Sequence, residues 1–117
     1  MFGEKVVNGV NPQQLFGTMD LFRQNPNSAK FKFRAKNKWT RGTHNRATVN
    51  GFCGDQKEDA SRDPIVFDLD EPPVLLGKIQ GAKPAEYLLV ALSGCLTTSL
   101  IAHAAAKEIE IRKVVTL

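Results

Sequence analysis

The residues best suited to chemistry lie in one short run, Ser93-Gly94-Cys95-Leu96-Thr97-Thr98-Ser99. A cysteine attacks as its thiolate, which forms when a nearby cation or dipole lowers the pKa of the thiol. On a helix, Thr98 and Ser99 lie beside Cys95, one turn further along. The run therefore indicates either a reactive thiol in a pocket that holds hydroxyl groups, or a small cysteine buried in a core, which is the commoner use of a lone cysteine.

A long helix must carry this run. Residues 87 to 106 contain no formal charge and are mostly apolar, which predicts a helix from about Pro84 to about Lys107. A membrane helix is a competing interpretation, because about 20 apolar residues span a bilayer. The stretch also contains several hydroxyl side chains and His103. We therefore favour a helix at the buried centre of a soluble, cytoplasmic protein and expect no membrane partner.

Helix geometry argues against activation of the thiol by its own helix. Glu86 precedes Cys95 by nine residues, which places it on the opposite side and about 13.5 Å away. His103 follows by eight residues, a separation of about 12 Å. The helix dipole lowers a thiol pKa only within the first turn, and Cys95 lies well beyond that turn. An activating cation must come from another segment or another subunit. The candidates are Arg41, Arg46 and Arg62.

The surrounding segments predict an α+β fold. Asn11-Pro12 is a typical helix start, and the helix should end near Arg23. Residues 30–39 alternate between apolar and basic side chains, which predicts a half-buried strand. Further strands are predicted at 46–52, 64–71 and 109–117, with a polar loop over 54–63. This order favours an antiparallel sheet packed on a long, buried central helix.

Charge is unevenly distributed along the chain. Residues 21–54 contain eight Lys or Arg and no acid, whereas residues 55–72 contain seven acids. The basic segment suits either a nucleic-acid surface or a sheet edge that lysines protect from pairing. We favour the edge and expect no nucleic-acid partner, because no aromatic side chain shares the basic face of the predicted strand. No Cys/His group has metal-ligand spacing, so we expect no metal and no cofactor.

Residues 70–111 resemble the OsmC/Ohr family. The residues that carry the resemblance are Pro84-Ala85-Glu86-Tyr87-Leu88-Leu89, Gly94-Cys95, Thr97-Thr98-Ser99 and Glu108-Ile109-Glu110-Ile111. Two upstream segments, "GTHNRATVNGF" and "SRDPIVFDLDEPPVLLG", are also similar to longer members. The resemblance covers roughly residues 40–117. It implies an N-terminal extension over residues 1–40 and a partial OsmC-like domain over 41–117, the N-terminal half to two-thirds of such a protein.

The resemblance implies an intertwined α+β homodimer with active sites at the subunit interface. Members of the family reduce small organic hydroperoxides in defence against oxidative stress. By position, Cys95 matches the peroxidatic cysteine. Arg46, or else Arg41, is the candidate for the arginine that activates it. Glu86 is one step from the position of the catalytic glutamate, where Ala85 stands. Thr98 and Ser99 are candidate binding residues.

The step that returns the oxidised cysteine to a thiol needs groups outside this helix. In the family, a second cysteine resolves the sulfenic acid, and a dithiol such as a lipoylated protein reduces the resulting disulfide. That second cysteine lies beyond the last residue of this chain, and Cys53 is the one substitute that the sequence offers. The alternative function is a noncatalytic OsmC-like dimer that binds a small apolar ligand at its interface.

Overall fold

The structure is a computed structural model that describes residues 5–117. Its elements in chain order are helix α1 (Pro12–Gln24), a 3-10 turn (Pro26–Ala29), strands β1 (Lys36–Arg41), β2 (His44–Val49), β3 (Phe52–Gly54), β4 (Lys57–Asp59) and β5 (Ile65–Leu69), a second 3-10 turn (Pro73–Leu75) and helix α2 (Pro84–Ala106). They form two compact units. The first joins the chain up to Pro26 with Val90–Leu117, and the second is Asn27–Leu89. The predicted mixture of helices with an antiparallel sheet is confirmed.

The sheet of the second unit has the order β1-β2-β5, with both pairs antiparallel. Its register places Lys38 opposite Arg46 and Arg46 opposite Asp68, so these three side chains share one face. Ala47 and Phe67 lie opposite one another on the other face, and Phe67 makes an edge-on contact with Tyr87 at the start of α2. β1 is an edge strand, which agrees with the favoured interpretation of its lysines.

The predicted strand over residues 30–39 is wrong before Lys36. In residues 30–35 only Lys32 makes a bridge, to Cys53. The phenylalanine rings of this segment instead stack in a row, with Phe33 between Phe31 and Phe52. Contacts between residues about 20 positions apart thus override the alternating pattern, as tertiary packing often does for strands.

The polar loop predicted over residues 54–63 contains a hairpin of β3 and β4. Its turn residues, Asp55 and Gln56, both have positive φ angles, 47° and 63°. Two left-handed residues in succession define the type I′ turn that two-residue hairpins favour. Asp tolerates this conformation, whereas Gln rarely adopts it. The hairpin was missed because its turn lacks the glycine that usually signals one.

A connector, residues 70–83, leads from β5 to α2 and is held by one buried carboxylate. Asp70 accepts hydrogen bonds from the backbone N–H groups of Glu71 (2.7 Å), Lys78 (3.3 Å) and Gln80 (3.0 Å). It also accepts one from the Thr43 hydroxyl in the β1–β2 turn. The side chain is 2% exposed. These bonds satisfy backbone groups that have no partner in a helix or strand.

The first unit confirms one prediction and overturns another. The Asn11 side chain caps α1 by accepting from the backbone N–H groups of Gln13 and Gln14, as predicted. The closing strand predicted over residues 109–117 is wrong, since these residues form no strand. The Ile111 N–H, which a strand would use, is instead bound by the Asn8 side chain at 2.8 Å. Residues 5–10 therefore hold the segment after α2, through Asn8 and the ion pair of Lys5 with Glu108.

The prediction of a buried central helix is wrong for this chain. Within the described residues, α2 buries only Ala104 and Ala105. Six of its larger apolar side chains are between 48% and 71% exposed, and Ile101 is half-buried. The six are Leu88, Leu89, Val90, Leu92, Leu96 and Leu100. By length and composition the helix is also apolar enough to cross a membrane, with 11% of its most apolar window buried. A helix that is apolar around its circumference needs cover on several sides, and the described residues do not supply it.

Substitution of Gly81 should test the close packing of the connector. A Cβ at this position would lie 2.1 Å from the Asp68 carbonyl oxygen, so the backbone must shift. We expect Gly81→Ala to lower the free energy of unfolding by about 1–3 kcal/mol, measured by urea denaturation. The control, Lys78→Ala, changes an exposed side chain of the same connector and should stay within about 0.5 kcal/mol. Equal stability of the two variants would contradict the packing described.

Candidate functional site

Cys95 lies near the middle of α2 and its side chain is exposed. No hydrogen bond or ion pair involves its thiol within residues 5–117. The neighbouring Gly94 faces open space, since a Cβ built there meets nothing within 4 Å. The sulfur is therefore accessible, and the helix beside it leaves room for another group to approach closely.

The predicted binding residues Thr98 and Ser99 lie on the same continuous helix as Cys95. Their positions, three and four residues further on, place them on its face one turn away, as predicted. Both are exposed. Leu92 and Leu96 flank this face and are each 55% exposed. The thiol is thus surrounded by hydroxyl groups and aliphatic side chains, and no charged side chain lies within one turn of it on α2.

Glu86 acts as a helix cap. Its carboxylate accepts a hydrogen bond from the backbone N–H of Lys83 at 2.9 Å, the reach-back contact of a capping box. The next residue, Tyr87, donates its hydroxyl to the Asp68 carbonyl oxygen at 2.8 Å. These bonds position the first turn of α2 against β5 within the second unit. Glu86 retains one carboxylate oxygen without a described partner.

Arg46 belongs to a three-residue cluster on the sheet. Its Nε donates to Asp68 Oδ1 at 2.9 Å, and the same oxygen is 2.9 Å from His44 Nε2. The contact with His44 and then that with Arg46 hold the pKa of the Asp68 carboxyl below its usual range. Sequence reasoning missed this cluster, although the alternation of β2 and β5 placed its members on faces that a correct register would join.

Arg41 lines a separate pocket of about 370 Å3, between the β1–β2 turn and the connector. Asp70, His44 and Lys78 also line it. The Thr43 hydroxyl, followed by the Gln80, Glu71 and Lys78 N–H groups, lowers the pKa of Asp70 far below its ordinary value. Asp70 is therefore ionised and fully engaged. Arg41 and Lys78 make no ion pair within the described part of the chain.

The six predicted site residues fall into two groups. Cys95, Thr98 and Ser99 belong to the unit that contains Val90–Leu117, whereas Arg41, Arg46 and Glu86 belong to Asn27–Leu89. Each group has the internal contacts described above. Among the described residues, no cluster of three or more His, Cys, Asp or Glu side chains has the arrangement to hold a metal ion.

Comparison with known proteins does not assign the chain to a family. It matches no protein-family model, and no curated protein is significantly similar to it. The OsmC-like resemblance therefore rests on the residues of α2 and the segments that flank it.

The hydrogen bonds to Asp70 predict sensitivity to acid. Because folding lowers the pKa of Asp70, its stabilisation is complete above the unfolded value of about 4. It is lost as the pH falls from there towards the folded value. We expect Asp70→Asn to be less stable than wild type at pH 7 and to lose less stability on acidification. Urea unfolding at several pH values measures both effects.

The matched control is Asp63→Asn, which alters an exposed aspartate without a described bond. This variant should follow the wild-type pH profile. An Asp70→Asn profile with the same acid slope as wild type would contradict the role given to Asp70.

Proposed function

We propose that the protein is an OsmC-like, thiol-dependent reductase of small organic hydroperoxides, with Cys95 as the peroxidatic residue. The observation that carries this proposal is the accessible, unpartnered thiol of Cys95 among exposed apolar and hydroxyl side chains of α2. A small hydroperoxide has an apolar body and a polar O–O end, and both kinds of group are present there. In this proposal the protein works in the reducing cytoplasm without a cofactor.

The proposed reaction begins at the sulfur of Cys95. The thiolate attacks the terminal peroxide oxygen, the O–O bond breaks, and the alcohol leaves as an alkoxide that takes up a proton. Sulfur loses two electrons and becomes a sulfenic acid. One thiol of an external dithiol then condenses with the sulfenic acid, releasing water and forming a mixed disulfide. The second thiol of the dithiol then attacks this mixed disulfide, which releases Cys95 as a thiolate and leaves the dithiol as a disulfide.

The proposed activating cation is Arg46, with Arg41 as the second choice. In Arg46 only Nε is used by Asp68, so its terminal nitrogens retain donors for a thiolate or a peroxide oxygen. Arg41 makes no ion pair among the described residues. A guanidinium beside a thiol lowers the thiol pKa. The proposed role of Glu86 is to orient that guanidinium through the carboxylate oxygen that the helix cap leaves unused.

A homodimer is part of the same proposal. The exposed leucines of α2 form an apolar surface larger than isolated surface residues would give, and such surfaces mark sites of association. Gly94 interrupts this surface with an open position, where a second backbone can approach closely. A second copy would cover the helix and bring its own arginines to Cys95.

A noncatalytic dimer that binds a small apolar ligand is the second candidate. The specific observation in its favour is that Glu86 and Arg46 already have structural partners, in the helix cap and in the Asp68 cluster. In that function Cys95 would remain a thiol beside an apolar cavity. The two candidates differ in the reactivity of Cys95, which the next experiment measures.

Trapping of the sulfenic acid tests the proposed chemistry. We expect cumene hydroperoxide followed by dimedone to add one dimedone to Cys95, detected by peptide mass spectrometry. Turnover with dihydrolipoamide should fall to the uncatalysed background in Cys95→Ser, because no other sulfur replaces the nucleophile.

The matched control is Cys53→Ser, since Cys53 is the second cysteine of the chain and is partly buried in β3. It should retain the adduct and the turnover. An unlabelled Cys95, with Cys95→Ser equal to wild type, would exclude the reductase. A co-purifying apolar ligand in native mass spectrometry would then support the noncatalytic function.

Gly94→Ala tests the dimer because it should stabilise the helix of a single chain and weaken the association of two chains. Alanine strengthens an exposed helix interior by about 0.5–1 kcal/mol, so it should stabilise an isolated chain. In the proposed dimer the added methyl obstructs the second copy. We therefore expect a dimer dissociation constant raised about tenfold or more, measured by sedimentation velocity. Ser93→Ala, which adds no volume, should leave this constant almost unchanged. A monomer at every concentration, or a protein recovered with membranes, would contradict the proposal.

A further inference from the structure

A concave basic surface runs along the β1–β2 face of the second unit. Two adjoining hollows, of about 640 Å3 and 390 Å3, share Lys36, Thr48 and Asn50 in their walls. We call the combined hollow the basic groove. Its charged lining residues are Arg34, Lys36, Lys38 and Arg46, with one acid, Glu58. Trp39 and Asn50 also line it. No residue of α2 lines it, whereas Arg46, the proposed activating cation, does.

The cations in and beside the basic groove are mostly without acidic partners. Residues 27–54 contain seven Lys or Arg and no acid. Two of the seven form ion pairs, Arg34 with Glu58 and Arg46 with Asp68. The other five have none among the described residues; they are Lys30, Lys32, Lys36, Lys38 and Arg41. The acidic segment at 55–72 therefore leaves most of this charge available.

The sheet register brings like charges together. Lys38 lies directly opposite Arg46, and like charges at opposed positions destabilise a strand pair. Among residues 5–117, Asp68 is the one acid that pairs with either cation, and it pairs with Arg46. A repulsive arrangement of this kind favours a bound polyanion, because neutralising the cations relieves their repulsion.

Exposed aromatic rings accompany this charge. Trp39 borders the groove at the β1 edge and is 71% exposed. Its register partner is Asn45, so its ring lies on the opposite face of this edge strand from Lys38. Phe33 immediately precedes Arg34, a residue that lines the groove, and is 67% exposed. Its ring stacks on that of Phe52, with the ring centroids 5.3 Å apart. Arg62 joins the groove to these rings, since it donates to the Asn50 carbonyl oxygen and lies 5.8 Å from the centre of the Phe52 ring.

From this combination we infer that the basic groove binds single-stranded nucleic acid. A positively charged groove follows the phosphates, and exposed aromatic rings at its ends stack on bases, which is how proteins bind single strands without sequence preference. The inference revises the expectation of no nucleic-acid partner. That expectation depended on a basic face without aromatics. In the structure, exposed rings instead lie next to the groove: Trp39 at the β1 edge, and Phe33 and Phe52 beside Arg34.

Protection of a sheet edge accounts for only part of the pattern. β1 is an edge strand, and Lys36 and Lys38 suit that role. However, Lys30 and Lys32 lie outside β1, and exposed aromatic rings would promote rather than prevent association. A duplex would use the phosphate contacts but not the rings, because its bases are already stacked. The proposed partner is therefore a single strand.

The test measures binding of fluorescent 16-nucleotide oligo(dT) and oligo(U) by anisotropy as a function of salt. We expect affinity that falls steeply with salt for both, and weaker binding of a duplex of equal length. Replacing Lys36 and Lys38 with Gln should reduce the slope of log K against log salt by about 1.4, because each phosphate contact contributes about 0.7. The control pair, Lys78→Gln with Lys113→Gln, removes the same charge outside the groove and should leave the slope unchanged.

Trp39 provides a second readout, because it is the only tryptophan of the chain. Its emission should be quenched when a base stacks on it. Trp39→Leu should weaken binding about tenfold, whereas Trp39→Phe, which keeps an aromatic face, should retain most of the affinity. Salt-independent binding, equal losses in both Trp39 variants, or binding to anionic phospholipid vesicles but not to the oligonucleotides would overturn the inference.

Discussion

One buried carboxylate organises the sheet unit. Asp70 stands where β5 ends, and its hydrogen bonds join the β1–β2 turn to the connector through Thr43, Lys78 and Gln80. The connector has almost no regular structure, and it includes left-handed residues at Leu76 and Ile79. Such conformations persist only where surrounding bonds impose them. Because the connector leads directly into α2, the start of the helix depends on this carboxylate as well.

The second constraint is apolar surface that the described residues leave uncovered. The sheet unit fixes the first turn of α2 through Tyr87 and Glu86, but the leucines further along remain exposed. The proposed reductase and the proposed dimer both depend on this surface. The basic groove does not, since its residues belong to β1, β2 and the segments beside them. The two proposals share Arg46 alone, and each has a test that does not alter it.

Local signals predicted several elements correctly. Asn11-Pro12 fixed the start of α1, and the apolar stretch fixed both ends of α2 to within one residue of Pro84 and Ala106. β2 and β5 were also anticipated. The errors arose where distant residues decide the outcome. Asn8 binds the backbone of Ile111 across 103 positions of sequence, and no local pattern indicates such a contact.

In the candidate site too, features set by neighbouring residues were predicted and features set by distant residues were not. The placement of Cys95, Thr98 and Ser99 on one helical face followed from helix geometry alone. The Asp68 cluster could not be predicted, because it depends on the register between β2 and β5. The row of phenylalanine rings depends on an approach of residues 31–33 to Phe52, which the alternating pattern of the segment does not reveal.

The two edges of the three-stranded sheet differ in how strongly they oppose pairing with a further strand. The β1 edge carries Lys36 and Lys38, which oppose the addition of another strand. The β5 edge carries exposed Ile65 and Val66, and within the described part of the chain it is bridged only at Leu69, by Ala82. The addition of a further strand is therefore less opposed beside β5 than beside β1.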